Sequence, residues 1–247
     1  MQRLLVANRA EVAVRIMRTA TDLGIETVAV FSEDDRDAPH TQVADHKASL
    51  LGQGPAAYLD GPRIVQTARA LDCDAVHPGY GLLSEDAAFA EAVESAGLRF
   101  VGPRPATLAA WGDKHQALTQ AEALDVPILP RTGLLETAEP VADFMREHGA
   151  VVLKAVAGGG GRGLRVVDAP EALTSALQAC REEARRAFGA DEVYAERYLR
   201  PARHIEVQIL GDGTSVVSLG TRDCSLQRRR QKVIELAPAE LPDSVAE

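Results

Sequence analysis

Lys154 stands at the end of an apolar run, Val151-Val152-Leu153, and is followed shortly by four consecutive glycines, Gly158 to Gly161, then Arg162 and Gly163. Glycines permit positive φ and let backbone N–H groups approach an anion, and a neighbouring lysine adds a point positive charge, so this stretch suits a polyphosphate. The same residues also read as a surface hairpin turn with an exposed lysine. No Gly-Lys-Ser/Thr follows and Gly163 to Val167 resumes as a strand, so the stretch is not a Walker loop. A second cationic group lies at Arg228-Arg229-Arg230-Gln231-Lys232, four cations in five positions. If that segment is extended, Arg228, Arg230 and Lys232 project to one face as an anion-binding strip; otherwise it is a solvated basic turn. Glu196 sits where the alternating EVYAERYL segment leaves for Pro201. There a carboxylate either accepts a hydrogen bond from an adenine amino group or ribose, or is simply solvated.

The elements that must position these residues follow from hydrophobic periodicity. Arg3 to Ala7 reads as a strand, Asn8 as a helix N-cap, and Val12, Ile16, Ala20 and Leu23 as one helical face closed by Gly24. A strand at Thr27 to Phe31 completes a βαβ unit. The pattern repeats with a helix at about Gly61 to Leu71, a strand at Ala75 to His77, a helix from about Glu85 to Ala96 and a strand at Arg99 to Val101. Strands alternating with helices predict a parallel sheet covered on both faces, with ligands at the loops after the strands. The loop ANRAEVA lacks GxGxxG, so a dinucleotide site has no support there. In His77-Pro78-Gly79-Tyr80-Gly81, His77 is read as structural, and Ser84 is read as the cap of the following helix.

After Gly102-Pro103 come a short helix from about Pro105, then Trp111-Gly112-Asp113-Lys114 and a further helix through Leu124. Lys114 by itself reads as a solvated lysine. A compact α+β region follows: helix Val141 to His148, strand Ala150 to Ala155, the glycine loop, strand Leu164 to Val167, helix Pro170 to Phe188 and strand Val193 to Leu199. HIEVQIL, Gly211-Asp212-Gly213 and SVVSLG then form a hairpin with period-2 alternation.

Composition excludes several classes. Residues of hydrophobic type make up 46% of the 247, enough for a sizeable core in one large or two ordinary domains. A formal net charge of −9 argues against a general nucleic-acid surface. Cys73, Cys180 and Cys224 form no CxxC pair, which fits a reducing cytosol. The sequence opens directly into a strand without a signal-peptide pattern, and no apolar run approaches the roughly 18 residues needed to cross a bilayer.

Taken in order, ANRAEVAVRI, HPGYGLLSE, GDK at Gly112 to Lys114, LKAVAGGGGRG, ERYL, RHIEVQIL and RDCSLQRRRQKVIE resemble the biotin carboxylase family of the ATP-grasp superfamily, from residue 1 to about 239. The resemblance implies an α/β fold, a parallel-sheet biotin carboxylase N-terminal domain over residues 1–108 followed by an incomplete ATP-grasp domain over 109–247, with a glycine-loop lid subdomain at about 126–199. It implies ATP-dependent carboxylation of biotin on a carboxyl carrier protein: bicarbonate attacks the γ-phosphate, carboxyphosphate forms, and released CO2 is captured at the biotin N1. By the same resemblance Lys114 and Lys154 contact ATP phosphates, with the backbone of Gly160 and Gly161 over them. Glu196, Arg197, Tyr198 and Leu199 match the adenine segment, with Glu196 accepting the amino group. His204, Gln227 and Arg230 face the nucleotide, and Lys232 binds bicarbonate as a catalytic lysine.

The implied cofactors are ATP, Mg2+ or Mn2+ and carrier-bound biotin. The implied partners are a biotin carboxyl carrier, a carboxyltransferase subunit or domain as in an acetyl-CoA carboxylase of fatty acid biosynthesis, and a second copy in a cytoplasmic homodimer, with neither nucleic acid nor membrane. Departures from the family pattern are Ala10 for Gly, Ala157 within the glycine run, Arg230 where a relative has His, and Leu236 for a second Glu. The family's metal-binding glutamates match positions beyond Glu247, and Glu235 and Glu240 match none of them. The chain is therefore expected to be the catalytically incompetent N-terminal part of such an enzyme; the alternatives are a noncatalytic nucleotide-binding or interaction module, and another ATP-grasp carboxylate ligase.

Overall fold

The computed structural model describes residues 1–112, 114–157, 163–228 and 231–242, with the side chains of Lys114, His115 and Phe188 outside that description. The chain divides into two units, Met1–Ala117 and Leu118–Glu247.

The first unit is built on a parallel sheet of β1 (Arg3–Val6), β2 (Glu26–Phe31), β3 (His46–Ser49), β4 (Ala75–His77) and β5 (Arg99–Phe100), in the order β3-β2-β1-β4-β5. The first strand of the chain is thus the central one, Leu4 pairing with Thr27 on one side and Ala75 on the other. Alternate residues serve opposite faces, as strand geometry requires. Leu5, Val28, Val30 and Val76 pack with Ile64 and Ala68 of α3 (Gly61–Ala70) and with Phe89 and Val93 of α4 (Ala87–Ser95). Leu4, Val6, Ala29 and Ala75 pack with Ala13, Met17 and Ala20 of α1 (Ala10–Asp22). The remaining helices of this stretch are α2 (Pro39–Val43), α5 (Pro105–Gly112) and α6 (Lys114–Ala123). β3, not foreseen from the sequence, is an outer strand whose residues are mostly exposed, so it carries no apolar signature.

Two caps differ from the sequence expectation. Arg9, not Asn8, is the N-cap of α1, with extended backbone and no side-chain capping bond. Asn8 instead donates Nδ2–H to the carbonyls of Pro78 at 2.7 Å and Tyr80 at 2.9 Å, while its Oδ1 accepts from Arg9 N–H at 2.8 Å. β1 and β4 are neighbours, so Asn8 emerges beside the HPGYG turn, and satisfying two buried-side carbonyls outweighs a cap. Gly79 has φ +70, and a Cβ there would lie 2.5 Å from Asn8 Nδ2. α4 starts at Ala87 and is capped by Asp86, which accepts from Phe89 N–H at 2.9 Å, rather than by Ser84. Ala10 begins α1 with φ +55, a left-handed conformation for a residue with a Cβ.

A polar network lies beneath the β2 end. Arg9 holds Asp35 through Nε at 2.6 Å and Nη2 at 2.7 Å, and Tyr58 donates its hydroxyl to the same carboxylate at 2.8 Å. The Arg9 contact keeps Asp35 below the usual carboxylate range, and burial pushes the Tyr58 phenol up to about 12. His40 is fully buried; its Nε2 donates to the Val30 carbonyl at 3.1 Å, and its Nδ1 has no partner among the described residues.

The second unit contains two sheets. In the first, β6 (Val151–Ala155), β7 (Leu164–Val167) and β8 (Val193–Arg197) run antiparallel in the order β7-β6-β8. Val151, Leu153, Val193 and Ala195 face Val141 and Met145 of α7 (Glu139–His148) and Leu173 and Leu177 of α8 (Leu173–Phe188). In the second, β9 (Ile205–Gly211), β10 (Val216–Arg228) and β11 (Gln231–Leu236) run antiparallel in the order β11-β10-β9. The basic run is therefore not one extended strip. Gln227 pairs with Lys232 and Arg228 with Gln231, so the chain reverses between them and Arg228 points away from the face carrying Lys232. The reversal lacks glycine, asparagine and aspartate, and nothing local announces it.

Candidate functional site

The alternation of β6 and β8 that sends Val151, Leu153, Val193 and Ala195 toward the helices sends Lys154 and Glu196 to the opposite face. Lys154 pairs with Tyr194 and Glu196 with Val152, making the lysine and the glutamate diagonal neighbours, and Lys154 Nζ forms an ion pair with Glu196 Oε2. Glu196 is 5% exposed, a burial that a carboxylate tolerates when a cation partners it. The Lys154 side chain keeps 29% of its exposure, so the ammonium is reachable by an anion from solvent. Glu196 thus has an intramolecular partner, which its reading as an adenine acceptor does not provide.

The loop after Lys154 returns at a fixed point. Gly163 O accepts from Ala155 N–H at 2.9 Å and from the Cys180 thiol at 3.3 Å. Gly163 has φ +66, and a Cβ there would meet Ala155 Cβ at 2.7 Å, so only glycine closes the loop on this geometry. Gly160 and Gly161 lie outside the described residues. Lys114 opens α6, and its side chain lies outside the description as well.

β8 ends at Arg197, whose N–H donates to Pro130 O at 3.0 Å; Tyr198 N–H donates to Ala150 O at 2.8 Å. Leu199 is 41% exposed beyond the strand end, and the Arg200 guanidinium covers the Tyr198 ring at 4.7 Å from its centroid.

A second cluster forms on the other sheet. Glu206 of β9 lies directly opposite Arg222 of β10, and both Arg222 Nη2 and Lys232 Nζ bind its carboxylate, one to each oxygen. His204 Nε2 stands 3.7 Å from Glu206 Oε2, and its Nδ1 is 2.8 Å from Gln227 Nε2, which also donates to Cys224 O at 3.0 Å. Arg222 Nη1 reaches Glu235 at 3.4 Å. The bond from Lys232, then that from Arg222, holds the Glu206 carboxyl down at about 2. The bond to Glu206 raises Lys232 above its ordinary value, so its ammonium persists across the physiological range. Three residues separated in the sequence, His204, Gln227 and Lys232, therefore meet around a fourth that the sequence reading passed over. Glu206 had a signal: it lies two residues from His204 in an alternating strand, and hence on its face. Arg230 lies outside the described residues.

Glu206, Cys224 and Glu235 place one ligand atom each within 4.8 Å of one another. They do not fit Mg2+. Glu206 already serves two cations, burial pushes the Cys224 thiol up, and Mg2+ demands an octahedron of oxygen ligands. The chemistry of the cluster is that of anion contact by fixed cations. No helix among the described residues is long and apolar enough to cross a membrane.

Comparison with known proteins places these features. Residues 1–108 match the family described as biotin carboxylase, N-terminal domain, and residues 113–245 match carbamoyl-phosphate synthase L chain, ATP binding domain. The chain is 46% identical over 244 residues to a biotin carboxylase of Allochromatium vinosum, covering 96% of this chain and 54% of that protein. It is 45% identical over 257 residues to a pyruvate carboxylase of Bacillus subtilis, covering all of this chain and 22% of that protein. Among solved structures, the biotin carboxylase domain dimer of the Hydrogenobacter thermophilus 2-oxoglutarate carboxylase, in complex with MgADP, ADP and bicarbonate, superposes with a TM-score of 0.93 at 39% identity, over 99% of this chain and 55% of that one. The chain spans about half the length of the biotin carboxylase it matches.

Proposed function

The chain belongs to the biotin carboxylase family, its first 108 residues matching the N-terminal domain and the rest an ATP-binding domain, and from that premise we propose that it serves ATP-dependent carboxylation of biotin by bicarbonate. The observation that carries this reading is the convergence of His204, Gln227 and the Lys232 ammonium on one face of the β9–β11 sheet. Phosphoryl transfer to a small oxyanion asks for little covalent help and much positioned positive charge, and both clusters supply it.

In this reading Lys154, at the root of the glycine loop, meets the nucleotide phosphates together with Lys114 and the backbone of Gly160 and Gly161. Its pairing with Glu196 neutralises the ammonium until a phosphate arrives. Arg197 to Leu199, leaving the strand, border the adenine. Lys232 holds bicarbonate as its γ-phosphate acceptor, and remains a cation rather than a base throughout. Magnesium, when bound, neutralises phosphate charge; the described residues of this chain contribute no fitting set of ligands. We assign residues 1–108 to the N-terminal domain, 109–247 to the ATP-grasp domain and about 126–199 to the lid subdomain. A biotin carboxyl carrier, a carboxyltransferase and a second copy are the partners this activity calls for, with acetyl-CoA carboxylation in the cytoplasm as the setting.

The test is ATP hydrolysis by the longest product of the coding frame. Hydrolysis that depends on bicarbonate and rises with free biotin supports the reading; hydrolysis indifferent to bicarbonate, with another carboxylate substituting for it, assigns the chain to a different ligase reaction.

A further inference from the structure

We propose that Arg131 is a positioning residue for the nucleotide: it latches the strand that carries Glu196 to α6 and so holds the lid subdomain in place for ATP. The proposal rests on the reading of residues 126–199 as a lid over the nucleotide, and Arg131 belongs to neither of the charged clusters.

The segment that enters the lid runs along the outer edge of β8. Thr132 N–H donates to Ala195 O at 2.9 Å, Thr132 Oγ1 accepts from Ala195 N–H at 3.0 Å, and Leu135 N–H donates to Val193 O at 2.8 Å. Within this edge Arg131 forms an antiparallel bridge with Glu196. Directly opposed residues share a face, so the Arg131 side chain leaves on the side of Glu196 and Lys154, away from α7 and α8. There its Nη2 donates to Glu122 Oε2 at 3.0 Å and to Thr119 Oγ1 at 3.4 Å. Thr119 and Glu122 are three residues apart on α6, so one guanidinium engages one side of that helix. Among the described residues, 124–130 form neither helix nor strand, and Arg131 therefore fastens the lid entry to α6 across a stretch of plain loop. The Arg131 side chain is 12% exposed and that of Glu122 65%. A pair so open to water adds little to global stability, and its consequence is the orientation of the strand beside it. A lid already held in place loses less conformational freedom when a nucleotide binds.

The test is a double-mutant cycle at Arg131 and Glu122 in the complete protein, read by calorimetric titration with MgATP in the absence of bicarbonate and, alongside, by denaturant midpoints. Arg131→Ala and Glu122→Ala are each expected to raise the ATP dissociation constant about two- to fivefold, the range of one partly exposed ion pair, and together no more than either alone. Arg131→Lys keeps a cation within reach of Glu122 and is expected to restore most of the affinity. Arg146→Ala removes the same charge from an exposed pair with Asp143 on α7 and is expected to leave the constant unchanged. Additive losses in the cycle, a lysine variant no better than alanine, or an equal effect of Arg146→Ala would overturn the latch. Coupling confined to the denaturant midpoints would overturn it as well, because the pair would then be structural only. A parent protein that binds no MgATP would reject the nucleotide reading itself, and the positioning role with it.

Discussion

Lys154 and Glu196 meet diagonally across β6 and β8, on the face of the sheet that turns away from its helices. The two residues are unequal partners: the glutamate is buried and the lysine half open. Lys154→Gln leaves a buried carboxylate uncompensated and is expected to cost about 2–3 kcal/mol of stability as well as weakening nucleotide binding. Glu196→Gln leaves a cation that water can still reach, so it is expected to cost under about 1 kcal/mol. Denaturant titrations of the two variants check the asymmetry; equal losses would contradict it.

Ala10 holds a left-handed backbone, φ +55, at the first position of α1. Ala10→Gly is expected to stabilise the first unit by about 1 kcal/mol, because glycine adopts this conformation without the Cβ penalty. The Tm of the variant, measured at constant pH, should rise, and a fall would mean that Ala10 bears no strain. The strain also gives the departure at residue 10 a physical content: the glycine expected there from the family resemblance is the residue this backbone prefers.

Gly163 combines positive φ with close approach to Ala155. Gly163→Ala is expected to destabilise by about 2 kcal/mol or more, since both a left-handed alanine and an overpacked contact are created. Ala155→Gly in the same chain removes the contact but leaves the backbone cost, so it should recover only part. Full recovery, or none, would show that one of the two terms is absent.

Burial lowers the pKa of His40 below its ordinary value, so the folded chain resists protonation there. Protonation is then easier in the unfolded chain, and stability present above about pH 6.5 is lost as pH falls below it. Denaturation midpoints for the chain and for His40→Gln, measured between pH 7.5 and pH 5, provide the check: the slope should flatten in the variant. Asp35 adds its own loss only at lower pH, because Arg9 holds its carboxyl below the usual range.

Much of the first unit is legible in its sequence because parallel strands buried on both faces leave unbroken apolar runs, as at Val28 to Phe31, and because α1 places Val12, Ala13 and Ala20 inward with helical spacing. The misreadings share one cause. Asn8 and Ser84 have cap chemistry, but tertiary neighbours decide its use: Asn8 is drawn to the carbonyls of the HPGYG turn, and Asp86 stands closer to the true start of α4. β3 is polar because it lies at an edge. Period-2 reasoning on the arginine run fails where the chain reverses between Arg228 and Gln231. The site is legible in another way. Lysine is scarce beside the 27 basic residues, and three of the four lysines fall in the motifs that suggest nucleotide and bicarbonate contact. Arginine dominates elsewhere, while a compact ammonium is retained at these points. Glu206 escaped notice because its significance lies in partners from two other strands, a relation that no local pattern expresses.

β1 opens the chain yet occupies the middle of its sheet, with Leu4 pairing with both Thr27 and Ala75. During synthesis β1 must therefore wait, one edge open, until β4 has also emerged, because non-local strand pairing completes only when the later partner is available. Substitutions in β1 therefore bear on the central strand of the sheet rather than on a dispensable fringe.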